Sequence, residues 1–130
     1  MAEFSNYLEN ALINAVLRNT TYTSPATVYV SLYTSNPGED DSGTEVSTVG
    51  TAYARTAVTF GAPSNGVSTN SADVTFPTAT SSFGTVTHIG IHDASTGGNL
   101  LFYTDLATSK TIDAGDIFKI TTGNLSVTLA

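Results

Sequence analysis

The run Thr27-Val28-Tyr29-Val30-Ser31-Leu32-Tyr33-Thr34 alternates with a period of two. Successive side chains of a strand point to opposite faces, so Val28, Val30 and Leu32 share one face and Tyr29 and Tyr33 the other, where the helix covers them or they form contact surface. The same period returns in Thr85-Val86-Thr87-His88-Ile89-Gly90-Ile91-His92, where Ile89 and Ile91 take the apolar face. That reading turns both imidazoles toward solvent or a partner. Shorter segments of the same kind lie near Ala54–Phe60, Ala72–Phe76, Leu100–Tyr103, Thr108–Ile112, Asp116–Thr121 and Leu125–Leu129. Turn-forming residues separate them, among them Gly61-Ala62-Pro63-Ser64-Asn65-Gly66 and Ala94-Ser95-Thr96-Gly97-Gly98-Asn99. The Thr108 and Asp116 segments read as joined across Asp113-Ala114-Gly115. Many short strands punctuated by Gly and Asn predict an antiparallel β-sandwich or barrel.

Upstream the period changes. Asn6-Tyr7-Leu8-Glu9 reads as a capping box, with Asn6 as the cap and Glu9 reaching back to the free amides. Leu8, Leu12, Ala15 and Val16 fall on one helical face, and Ile13 and Leu17 widen the stripe. Asn19-Thr20-Thr21 and Pro25 end the pattern. The expected architecture is mainly β, with one N-terminal amphipathic α-helix. It is one domain over residues 1–130, with the helix at about 6–19 and the sandwich at about 27–130.

The chain has 130 residues, a length typical of one domain with its own core. Cysteine is absent, which excludes disulfides, thiolate metal sites and cysteine nucleophiles. Four Lys and Arg stand against eleven Asp and Glu, for a net charge of −7. Phosphate binding needs clustered cations, and Arg18, Arg55, Lys110 and Lys119 are scattered, so no nucleic-acid partner is expected. No apolar run reaches the roughly 20 residues that span a bilayer, and Met1-Ala2-Glu3-Phe4-Ser5-Asn6 lacks the basic start of a signal peptide. No membrane partner is expected.

Candidate chemistry is sparse. Glu39, Asp40, Asp41 and Glu45 sit in a long loop with Pro37, Gly38 and Gly43, but their spacing matches no calcium-binding loop. His88 and His92 share a strand face about 13 Å apart, at ~3.3 Å per residue, too far for one metal. Asp93 beside His92 implies no dyad, and nothing marks one serine as a nucleophile with a positioned base. Gly97-Gly98 lacks the lysine and helix of a phosphate loop and reads as a turn. No enzyme activity, metal or cofactor is expected.

Two groups of segments carry a resemblance. One is Ser5-Asn6-Tyr7-Leu8-Glu9-Asn10 with Pro25-Ala26-Thr27-Val28-Tyr29-Val30-Ser31-Leu32-Tyr33-Thr34. The other is Val74-Thr75-Phe76-Pro77, then Phe83-Gly84-Thr85-Val86-Thr87-His88-Ile89-Gly90-Ile91-His92-Asp93-Ala94, then Gly97-Gly98-Asn99-Leu100-Leu101. The whole chain resembles a family of small tailed-phage virion proteins, labelled tail fibre proteins or capsid decorations. Relatives often carry tryptophan where this chain has Phe83, an exchange of aromatics that should preserve packing. The resemblance implies a non-enzymatic structural protein of the virion, and it carries over no catalytic residues.

The short, repeat-free chain directs the expectation first to a capsid decoration, or cement, protein bridging major capsid subunits, and forming trimers. The second expectation is a tail fibre, baseplate or tail-adaptor component contacting tail proteins. Expected contacts are the helix, the Pro37–Thr51 loop and strand edges, with Tyr29, Tyr33, Glu39, Asp40, Asp41 and Glu45 as contact residues. A third reading, from another class, is a carbohydrate-binding module using Tyr22, Tyr53 and Tyr103.

Overall fold

The computed structural model describes residues 2–129. Ten elements follow one another: β1 (Glu3–Phe4), α1 (Asn6–Leu17), β2 (Val28–Tyr33), β3 (Thr56–Val58), β4 (Val67–Thr69), β5 (Val74–Thr75), β6 (Gly84–His92), β7 (Leu100–Ile112), β8 (Lys119–Ile120) and β9 (Ser126–Thr128). A five-stranded sheet has the order β1-β7-β6-β2-β3, and two ribbons, β4-β9 and β5-β8, pair separately. Every strand pair is antiparallel. The protein is mainly β with one N-terminal helix, as its periodicities indicate.

The alternation read in β2 and β6 sets the core. Val30, Leu32, Val86, Ile89 and Ile91 are buried on one face of the sheet. They form one cluster with Val74 and Phe76 of the β5 segment and with Phe118 and Leu125 around β8 and β9. Phe76 is its aromatic centre, edge-on to Phe118 at 5.6 Å and stacked on Tyr53 at 6.3 Å. Phe83 meets Tyr53 edge-on at 5.8 Å. Asn70 ties the ribbons together from inside. Its amide donates to Ala72 and Thr121 carbonyls while its oxygen accepts from Leu125 N–H.

The opposite face is buried too, under α1 and the loop that follows β2. Ser5, not Asn6, caps α1, its Oγ accepting from Leu8 N–H at 3.2 Å. The same hydroxyl donates to Leu100 O, and Ser5 N–H bonds Leu101 O, so the cap also nails the helix to β7. That second task explains why the serine displaces the capping box. Only Leu8 of α1 is fully buried, with Ala11, Leu12 and Ala15 half-buried. Val16 and Leu17 are each 77% exposed, and Ile13 is exposed beside them. The expected apolar stripe is therefore split between the sheet and the surface.

Three strand assignments differ from expectation. Thr108–Ile112 and Asp116–Thr121 form no hairpin, because Ile112 ends a strand paired to β6 while Lys119 pairs with Thr75. Burial of Ile112 and Phe118 carries the chain from the sheet to a ribbon between them. Leu100–Tyr103 and Thr108–Ile112 merge into β7. The register jumps from Val86↔Lys110 to His88↔Asp105, so residues 106–109 bulge opposite Thr87. Strands β1 and β4 are too short to announce themselves by alternation.

Gly90 lies where the two layers of side chains leave no room. A Cβ there would stand 2.7 Å from both Leu100 Cδ1 and Ser31 Oγ. Gly90→Ala is expected to destabilise the fold by about 1–3 kcal/mol, read as a lower denaturation midpoint with an unchanged m-value.

Candidate functional site

Tyr29, Ser31 and Tyr33 leave β2 on the face away from the core, as the alternation demands. Antiparallel register sets Tyr29 opposite His92, Ser31 opposite Gly90 and Tyr33 opposite His88. The loop after β2 then folds over this face. Its turn closes when Ser42 and Gly43 N–H bond Pro37 O, and Asn36 Oδ1 accepts from Gly38 N–H. Closure needs glycine at 43, where a Cβ would lie 2.5 Å from Asn36 O.

Under this loop runs a chain of hydrogen bonds. Ser31 and His92 are 0% exposed and Tyr33 is 1% exposed. Ser31 Oγ lies 2.8 Å from His92 Nδ1, and Tyr33 Oη lies 3.3 Å from His92 Nε2. The Tyr33 hydroxyl donates to Asp41 Oδ1 at 2.6 Å. With that proton committed, Tyr33 oxygen accepts from Nε2–H, and Nδ1 accepts from Ser31. One neutral tautomer satisfies every group. Burial, and then the nearby Arg55 charge, hold the His92 pKa below its ordinary 6.5, against the pull of Glu45 and Asp41. Burial and the Asp41 bond push the Tyr33 hydroxyl far above its ordinary range.

A second cluster adjoins the first. Glu45 accepts from Arg55 through both oxygens, at 2.8 and 2.9 Å, and from the Tyr53 hydroxyl at 2.5 Å. Tyr53 in turn accepts from Leu32 N–H, and Arg55 also donates to Ala94 and Gly97 carbonyls. Burial alone would raise the Glu45 pKa. The Arg55 and Tyr53 hydrogen bonds outweigh it and hold this carboxyl below its ordinary 4.5. The pair fastens the loop's return segment to the Ala94–Gly97 turn.

These contacts revise several expectations. His92 does not face outward, and of the two readings open for Tyr33, covered or contact surface, the covered one holds, with the loop rather than the helix as the cover. Asp41 is bonded to Tyr33 and Glu45 to Arg55, so Glu39 and Asp40 are the loop carboxylates that face solvent without a basic partner among the described residues. Tyr29 is half-buried. Of the proposed sugar platforms, Tyr53 and Tyr103 are buried and Tyr22 half-buried, which removes two stacking faces. His88 is half-buried with Nδ1 on Thr87 Oγ1. Ser31, His92 and Asp41 carry the residue types of a hydrolytic triad, a grouping the sequence reading missed because it brings together positions 31, 41 and 92. Ser31 is enclosed on all sides, so no substrate carbonyl reaches its hydroxyl. What the network does is hold the loop. Beside it, a groove of about 410 Å³ opens between the loop and the start of α1, lined by Asn6, Tyr7, Glu39, Asp40, Asp41 and Asn99. Among the described residues, no cluster of three or more His, Asp or Glu is arranged to hold a metal, and no helix is long and apolar enough to cross a membrane.

Replacing Glu45 leaves the Arg55 guanidinium, whose side chain is only 10% exposed, without its counter-charge. Glu45→Gln is expected to cost about 2 kcal/mol at pH 7, below the full figure for a buried pair because Glu45 is a quarter exposed. The folded-state pKa of Glu45 lies below its unfolded value, so its contribution is complete above pH 4.5 and lost as pH falls through the folded value. Denaturation curves of Glu45→Gln should therefore lose part of the wild-type decline below pH 4.5.

A comparison with curated proteins gave no match. The family described as Podophage GP4 fiber I protein gp80 matches residues 3–128, nearly the whole chain, including β1 to β9, α1 and the loop that covers His92. The chain belongs to this family of podophage fibre proteins, and is a structural protein of the virion.

Proposed function

We propose that the protein is a fibre component that joins neighbouring virion subunits through the acidic loop and the outer face of α1, and that it catalyses no reaction. The observation that carries this reading is the fibre-family match over residues 3–128. The geometry supports it. The polar groups of the sheet are occupied internally, so what the protein offers a partner is surface.

That surface has two characters. The groove beside Glu39 and Asp40 is acidic, in a chain of net charge −7, and suits basic side chains on the partner. The α1 face carrying Ile13, Val16 and Leu17 is aliphatic. Tyr29, half-buried on the same sheet face as Ser31 and Tyr33, is a further candidate contact, while Asp41 and Glu45 support the surface by shaping the loop. A capsid-decoration role draws no support from the family description, whereas the fibre role does.

Cryo-EM of particles carrying a tagged copy should place its density on the tail fibres; density on the capsid shell would overturn the reading in favour of a cement role. Reversing both groove charges, Glu39→Lys with Asp40→Lys, is expected to weaken attachment at least ~10-fold while leaving the melting temperature unchanged. Quantitative blotting of purified particles checks this.

A further inference from the structure

The loop tip, residues 38–42, is lightly tethered. Among the described residues, two hydrogen bonds join it to the rest of the protein. Asn6 N–H donates to Glu39 O at 2.9 Å, and the Tyr33 hydroxyl donates to Asp41 Oδ1, while Asp41 Oδ2 also stands 3.6 Å from His92 Nε2. Its remaining bonds stay within the loop or reach its own base at Asn36 and Pro37. Asp41 also holds a left-handed backbone conformation, with φ at +56°. That conformation is disfavoured for a residue with a side chain, and the Tyr33 bond offsets it. A weakly tethered, strained segment thus lies directly over a fully buried imidazole.

We propose that this tip is a proton-linked latch, closed over His92 while the imidazole is neutral and released when it takes up a second proton. In the closed form Nδ1 accepts from Ser31 and Nε2–H donates to Tyr33, so each nitrogen has its partner. A proton on Nδ1 would meet the Ser31 hydroxyl, which must swing its own hydrogen away inside an enclosed space. The new charge would also lie buried. Loss of hydration on burial and the Arg55 charge ahead of β3 oppose it, and together they outweigh the attraction of Glu45 and of Asp41, whose Oδ2 is 3.6 Å from Nε2. Opening the tip admits water to the ring and restores its ordinary affinity for protons.

The sign follows from linkage. A closed-state affinity below that of the hydrated ring means the latch is fully favoured above pH 6.5. Below it, opening gains up to about tenfold per pH unit until the closed form also binds the proton. This loop is the one assigned above to subunit contact. The test uses the isolated chain, so either idea can fail without the other.

Hydrogen exchange between pH 7.5 and 5, corrected for intrinsic rates, reads the latch directly. Amides of residues 38–42 should lose protection in acid while those of Val30 and Ile91 keep theirs. His92→Gln should abolish that pH dependence. Should His92→Gln not fold, Asp41→Asn keeps an acceptor for Tyr33 but removes a charge that favours the imidazolium. Opening at pH 5 should then exceed that of the unaltered chain. Tip protection that stays constant across this range, or an acid-induced loss that persists in His92→Gln, overturns the proposal.

Discussion

The bonded row of Ser31, His92, Tyr33 and Asp41 is the constraint around which one whole side of the protein is arranged. A hydroxyl or imidazole buried without a partner costs several kcal/mol, whereas a chain of mutually satisfied groups is nearly neutral and orients its members. Because the row is complete only when Asp41 sits over Tyr33, the loop has one favoured position. That position sets the groove beside Glu39 and Asp40, and it presses the loop against the first residue of α1. A surface feature thereby inherits its shape from a buried one.

The two faces of the β2–β6 pair divide the labour. The apolar face supplies the hydrophobic free energy through Val30, Leu32, Ile89 and Ile91 against the ribbons. The polar face supplies direction, because hydrogen bonds discriminate between arrangements that area burial treats alike. Gly90 sits between them, and its missing side chain is what lets Ser31, Tyr33 and Leu100 close together. Asn70 does for the ribbons what His92 does for the loop, converting a buried amide into a knot between Ala72, Thr121 and Leu125.

For a fibre component this economy is physically sensible. Interior polar groups engaged with one another leave no reactive cleft at Ser31, and the acidic groove remains available for the contact proposed above.

Much of the framework was legible in the residues themselves. The period-two runs at 27–34 and 85–92 marked the two central strands and their core face, and the change to helical spacing at about 6–19 marked α1, which ends two residues earlier, because backbone geometry imposes those periods locally. The resemblance, carried by the same segments, pointed to the virion. Other features were decided only by the fold. Alternation assigns Tyr33 and His92 to the face opposite the core, yet whether that face meets water depends on a loop that no period describes. Ser5 became the cap because Leu100 and Leu101 lie beside it, and Ser31 and His92 became neighbours through the pairing of β2 with β6, with Asp41 brought over them by the loop. Periodicity reports which side of its own backbone a residue takes; what waits on that side is settled by chain segments distant in sequence, and only their packing together reveals it.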